Sequence, residues 1–141
     1  MFDTQSNVRA GQLPVVAGED LTGKEGLLAK IQNNSGITEA VLPGDNADET
    51  LFLIVEGAVA GKTATLMPLT PDRQIRVFTT EALNPADQVA LADVGTSADK
   101  GKIRKLPGAT GSYFSPGIVE EVAEAGQLAL IRPFPLTRAV A

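Results

Sequence analysis

The sequence predicts an all-β protein, a small β-barrel or β-sandwich of about nine or ten short strands with an extended N-terminal arm. Three observations predict it. Glycine and proline, 14 and 9 of them in 141 residues, are spread along the whole chain and cut it into short segments. Those segments are rich in small or branched aliphatic residues, and several alternate apolar with polar at period two, as half-buried strands do. They also follow one another at roughly even spacing. A chain of this length fits one domain and can bury about two-thirds of its unfolded surface.

Met1–Gln12 is polar and without period, and reads as an arm that stays mobile unless a partner orders it, ahead of a single β-rich domain over 13–141. Leu13–Ala17 is a first strand, with Pro14 marking an edge or a strand start. Gly18–Gly26 is loop. Leu27–Ile31 and Ile37–Leu42 flank the turn-rich QNNSG and read as a hairpin. Pro43–Thr50 is a polar loop leading into Leu51–Val55, the most continuous apolar run, which needs cover on both faces. After the turn Gly57–Gly61, Thr63–Met67 alternates with Ala64 and Leu66 on one face, until Pro68 and Pro71 end it. Arg73–Thr79 alternates again, Ile75 and Val77 lying opposite Arg76 and Phe78. Glu81–Ala86 suits a helical turn, and Asp87–Ala92 a further strand with Val89 and Leu91 together.

Ser115–Gly126 has signals of both kinds. As a helix it would have Ser115 as N-cap, Pro116 in the first turn and Gly126 just past the end. As strands, Gly117–Val122 and Gln127–Arg132 are two arms joined by AEAG. The all-β surroundings select the strands.

Composition excludes several chemistries. There is no cysteine, hence no disulfide, thiolate zinc site or cysteine nucleophile, and no histidine, hence no Ser-His-Asp machinery. A net charge of -5 works against a general phosphate-backbone binder. The longest apolar runs are too short to span a membrane, and the amino-terminal residues lack the apolar core of a secretory signal, so use without export is expected.

Each motif with chemical promise has a plainer reading. Gly57-Ala-Val-Ala-Gly61-Lys62-Thr63 has three residues between its glycines where a phosphate-binding loop has four, and Pro68 leaves no room for the following helix. It reads as a turn. Glu120 and Glu121 point to opposite faces of a strand and suit a solvated edge better than an acid–base pair. The loop Asp45-Asn-Ala-Asp48-Glu49 has Ala47 where a calcium loop needs an oxygen ligand. Lys100, Lys102, Arg104 and Lys105, followed by Tyr113 and Phe114, could form a stacking groove for nucleic acid, but the acidic balance favours solvent-facing residues or a rim meeting an acidic partner. No catalytic residue, cofactor site or metal site is assigned. Ser112–Pro116 reads as an aromatic-tipped loop, with Tyr113 and Phe114 facing a partner. In Leu128, Ala129, Leu130 and Ile131 both faces are apolar, which favours self-association, with these four residues at a subunit interface, over a two-sheet core that would cover both faces within the chain.

The order of features, AGEDLTGKEGLLAKI, VLPGDNADETLFLIVEGAVAGK, DQVALAD, then GKIRKL and SPGIVEEVAEAGQLALIRP, resembles the small capsid decoration, or cement, proteins of tailed bacteriophages. The shared pattern is one of strands, glycine turns and aliphatic residues. The resemblance implies a mostly β homotrimer on the outer surface of the virion capsid, made in the host cytoplasm. Such a trimer sits near local three-fold positions of the major capsid protein and stabilises the expanded shell. It implies no enzyme, nucleic acid or membrane. The arm would then carry the capsid contact, through Phe2, Val8, Arg9 and Leu13, by adding a strand to an exposed sheet edge. The other reading of the residues is a small β-barrel that binds a carbohydrate or small molecule without catalysis, which the scarcity of aromatics disfavours.

Overall fold

A computed structural model describes residues 11–141. β1 (Leu13–Ala17), β2 (Leu28–Asn34), β3 (Ile37–Val41), β4 (Phe52–Glu56) and β5 (Thr63–Pro68) close into a barrel in the order β1-β3-β2-β4-β5. The hairpin β2–β3 turns on Ser35-Gly36, whose φ angles of 51° and 87° are both positive, as a two-residue turn matched to strand twist requires. The Asn33 side-chain oxygen accepts the Gly36 N–H at 2.8 Å and fixes that turn. β1 pairs antiparallel with β5 and parallel with β3. A parallel pair needs a long crossover, and the loop after β1 together with β2 supplies it. Leu21, Ile54, Ala64 and Leu66 fill the barrel.

β6 (Ile75–Phe78), β9 (Gly111–Val119) and β10 (Leu128–Val140) form a sheet in the order β6-β10-β9, while β7 (Val89–Leu91) pairs with β8 (Ile103–Lys105). A second apolar core gathers residues of both sheets, including Val77, Leu91, Ile103, Phe114 and Ile131.

Gly26–Ala29 ties the halves together. Leu27 and Ala29 point into the barrel core and Leu28, fully buried, into the second core, because successive strand side chains face opposite ways. The main chain does the same. Gly26 N–H donates to Ile54 O at 3.1 Å and Ile54 N–H to Leu27 O at 2.9 Å on the barrel side. Phe78 N–H donates to Gly26 O at 3.0 Å, and Leu28 N–H to Gly101 O at 2.8 Å, on the other. β4 repeats the pattern, with Phe52 and Ile54 against the barrel core and Leu53 against the second.

A polar joint reinforces this seam. Asp48 Oδ2 accepts hydrogen bonds from Lys30 Nζ at 2.8 Å and from the N–H groups of Gly44 at 2.8 Å and Asp45 at 3.0 Å. Beside it, Asn46 O accepts the Phe114 N–H at 2.9 Å, and Asn46 Oδ1 the Val94 N–H at 3.2 Å. The loop 43–50 thus clamps β2 to β9 and to the segment after β7.

Several expectations hold and others are corrected. Ala64 with Leu66 and Ile75 with Val77 are buried on common faces, as their alternation indicates. Cover on both faces of Leu51–Val55 is found for Leu53 and Ile54, but Leu51 and Val55 are exposed. Glu81–Ala86 is not a helical turn: Leu83 bridges to Ala123, Asp87 N–H donates to Asn84 O, and Ala86 has a φ of 76°. Tertiary pairing there outweighs local propensity. Among the described residues the one helical piece is a 3-10 turn at Ser97–Asp99. Ser115–Gly126 is not helical; β9 ends at Val119 and β10 begins at Leu128. β10 also continues through Pro133 and Pro135 to Val140, well past Arg132.

Two measurements check this account. Leu28→Ala removes the side chain that carries the second core onto the seam, and should lower stability by about 3 kcal/mol in urea unfolding; a loss under about 1 kcal/mol would contradict it. For Asp48, burial tends to raise the carboxyl, but the Lys30 hydrogen bond and the Gly44 and Asp45 N–H groups outweigh it and hold it below its ordinary value. A carboxyl depressed by folding stabilises the fold above its unfolded value of about 3.9, and that contribution fades as pH falls through the depressed value. Asp48→Asn should therefore cost about 0.5–1 kcal/mol at neutral pH, reduced by partial solvent screening, with the deficit shrinking in acid, below the unfolded value of about 3.9. Equal deficits at both pH values would refute this role.

Candidate functional site

The residues singled out by sequence fall in different places. Phe2, Val8 and Arg9 lie outside the described residues. Leu13 belongs not to an arm but to β1, opposite Leu66 of β5, with its side chain against the barrel core. Tyr113 and Phe114 do not form a partner-facing loop. They sit inside β9 and are buried, Phe114 in the second core, because β10 pairs along the whole strand and the Asn46 clamp holds its other side. Of Leu128 to Ile131, Ala129 and Ile131 are fully buried in the chain's own second core and are not available to a subunit. Leu130 is half-buried, and Leu128 is 41% exposed.

The polar candidates are engaged in internal ties. Glu120 accepts from Gln74 Nε2 at 2.6 Å and from Arg132 Nε at 3.3 Å, and Glu121 from Arg76 at 3.4 Å, fastening the β9–β10 connection to β6. Gln74 first and Arg132 second hold the Glu120 carboxyl below its ordinary value, so it stays an acceptor rather than an acid. Gly57 N–H donates to Glu25 Oε2 at 2.7 Å, and a Cβ at Gly57 would strike the Leu21 carbonyl. That turn is packed against the loop 18–26 and opens no helix. In the basic run, Lys102 pairs with Asp99 at 3.3 Å and Lys105 with Asp87 at 3.8 Å. Arg104 differs. Its Nε donates to Leu91 O at 2.9 Å, its guanidinium lies 5.7 Å from the centre of the Tyr113 ring, and no described carboxylate lies within 4 Å of it.

A cleft of about 300 Å³ opens at the seam, with Phe78 and Leu27 among its walls and Lys24, Glu25 and Lys102 at its polar side. Glu25 and Lys102 are the partners of Gly57 N–H and Asp99 just described, so the polar groups do not converge on the space.

The outward-facing chemistry lies along β10. Phe134 is 60% and Leu136 48% exposed, beyond the point where β6 stops pairing at Ile131. Pro133 and Pro135 have no N–H, which limits strand addition there. Arg138 lies opposite Tyr113 in the β9–β10 register. The last strand read from the sequence ends at Arg132, short of Phe134, Leu136 and Arg138, which lie beyond it on the same strand. The alternation of Leu136, Arg138 and Val140 was the signal available.

No protein-family model matches the chain, and no curated protein matches it in sequence. Among solved structures, the head fiber gp8.5 N base of bacteriophage phi29 matches it with a TM-score of 0.64 and 16% identity, over 92% of this chain and 96% of that one. At that identity the likeness is one of fold, and its extent is too great for either half alone: barrel and packed sheets are shared together.

Proposed function

We propose that the protein is a capsid decoration, or cement, protein that binds the outer surface of a phage head as a homotrimer near local three-fold positions and stabilises the expanded shell. The observation that carries this reading is the fold likeness to a phage head fiber base over nearly the whole of both chains. The order of sequence features supports it independently. The reading is non-enzymatic: the carboxylates and lysines with catalytic promise are tied into clamps between elements, where their work is structural.

Two surfaces divide the labour in this proposal. Leu128, Phe134 and Leu136 offer apolar area for contact between copies, since large exposed apolar side chains on one strand mark association surfaces. Residues 1–12, with Phe2 and Val8 as apolar anchors and Arg9 beside them, reach the major capsid protein. Individual contacts need not be strong, because a trimer held at three points gains from effective concentration.

Removing residues 1–12 stops short of β1, so it should abolish co-sedimentation with expanded heads of the encoding phage and leave the native mass of the purified protein at three chains. Unchanged occupancy on heads would refute the arm's role, and a monomer by native mass measurement would refute the trimer. Leu128→Glu combined with Phe134→Ser should yield monomers that remain folded by circular dichroism; a persistent trimer would move the interface elsewhere.

A further inference from the structure

The geometry points to a carboxylate-binding patch, formed by Arg104, Tyr113 and Arg138, that docks an acidic segment of a head protein. This deepens the reading above and rests on it for the identity of the partner. Three elements converge there. β8 supplies Arg104, held by its Nε hydrogen bond to Leu91 O at 2.9 Å and stacked over Tyr113 at 5.7 Å. β9 supplies Tyr113, whose hydroxyl donates to Ala109 O at 3.0 Å and so fixes the ring. β10 supplies Arg138, the cross-strand neighbour of Tyr113.

Arg138 is the unusual member. Its Nε is shut off from water and has no hydrogen-bond partner among the described residues. Arg104 and Arg138, like Lys24, Lys62, Arg73 and Lys100, have no described carboxylate within 4 Å; the enclosed Nε is what sets Arg138 apart. A buried N–H without an acceptor is costly, and the rest of this half-buried guanidinium offers a carboxylate the charge and fork geometry that its two oxygens match.

The partner is a protein because of what lies beside the arginines. Leu136, two residues from Arg138 along β10 and 48% exposed, adds an apolar contact beside the guanidinium groups. Arginine, an aromatic ring and a neighbouring aliphatic make the mixture that carries most energy at protein interfaces.

The test uses the full chain and two labelled probes, a glutamate-rich peptide and a single-stranded oligothymidine, followed by fluorescence anisotropy at low ionic strength. The peptide should bind saturably, and Arg104→Gln with Arg138→Gln should weaken it by about tenfold or more, while Arg104→Lys with Arg138→Lys recovers only part because the fork is lost. Arg138→Met keeps the aliphatic stem and removes the unpartnered charge, so the free protein should melt about 2 °C higher, an outcome a purely structural arginine would not produce. No saturable peptide binding, equal binding by the double Gln variant, a lower Tm for Arg138→Met, or arginine-dependent preference for the oligonucleotide would each overturn the inference. Failure of the peptide with intact sedimentation onto heads would sink the patch alone. Peptide binding without sedimentation would instead sink the head-binding reading.

Discussion

The structure depends on one short stretch being buried on both sides. Leu27, Leu28 and Ala29 alternate between two apolar cores, and the main chain around them hydrogen-bonds to β4 in one direction and to Phe78 and Gly101 in the other. Neither core closes without that stretch, so barrel and packed sheets share a wall instead of meeting across a linker. A shared wall makes the halves one cooperative unit, since its loss exposes apolar surface on both sides at once. The clamp of loop 43–50 then adds direction to what apolar burial leaves undirected. Asp48 gathers Lys30 and two backbone N–H groups, while Asn46 holds Phe114 and Val94.

What could be read from the sequence was whatever one strand and one core decide between them. The hairpin around Asn-Ser-Gly was legible because a two-residue turn with positive φ at both positions has few possible sequences. Ala64 with Leu66, and Ile75 with Val77, were legible because a half-buried strand writes its period into its residues. The parallel pairing of β1 with β3, which closes the barrel, leaves no such mark, being a contact between segments far apart in the chain. Tyr113 and Phe114 sit among serine, glycine and proline and look locally like a loop. Their burial comes from β10, Asn46 and Arg104, none of them adjacent in sequence. The apolar run at Leu128–Ile131 was correctly read as two-faced, but its inner face, Ala129 and Ile131, found its cover within the same chain.

The polar residues show why motif reading promised more chemistry than the fold contains. Glutamates, a lysine run and a glycine-flanked turn resemble catalytic or phosphate-binding parts when spacing alone is considered. In three dimensions they are the ties that a loop-rich β protein uses where strand pairing stops: Glu120 to Gln74 and Arg132, Glu25 to Gly57, Lys102 to Asp99. Each exposed tie is worth little alone. Their shared effect is to fix connections that glycines would otherwise leave free.

That surface is shaped by what it forbids as much as by what it offers. β10 runs on after β6 has ended, and a bare strand edge with exposed Phe134 and Leu136 would invite indiscriminate strand addition. Pro133 and Pro135 stand where that edge begins, and a register shift between Pro133 and Leu136 bends it away from a regular ladder. With main-chain pairing discouraged, association along β10 falls to side chains, and side chains discriminate between partners as a backbone ladder cannot. In the proposed association, Phe134 and Leu136 would supply the apolar part and Arg138 beside Tyr113 the charge. In that association the two prolines are therefore the residues that would make the surface selective.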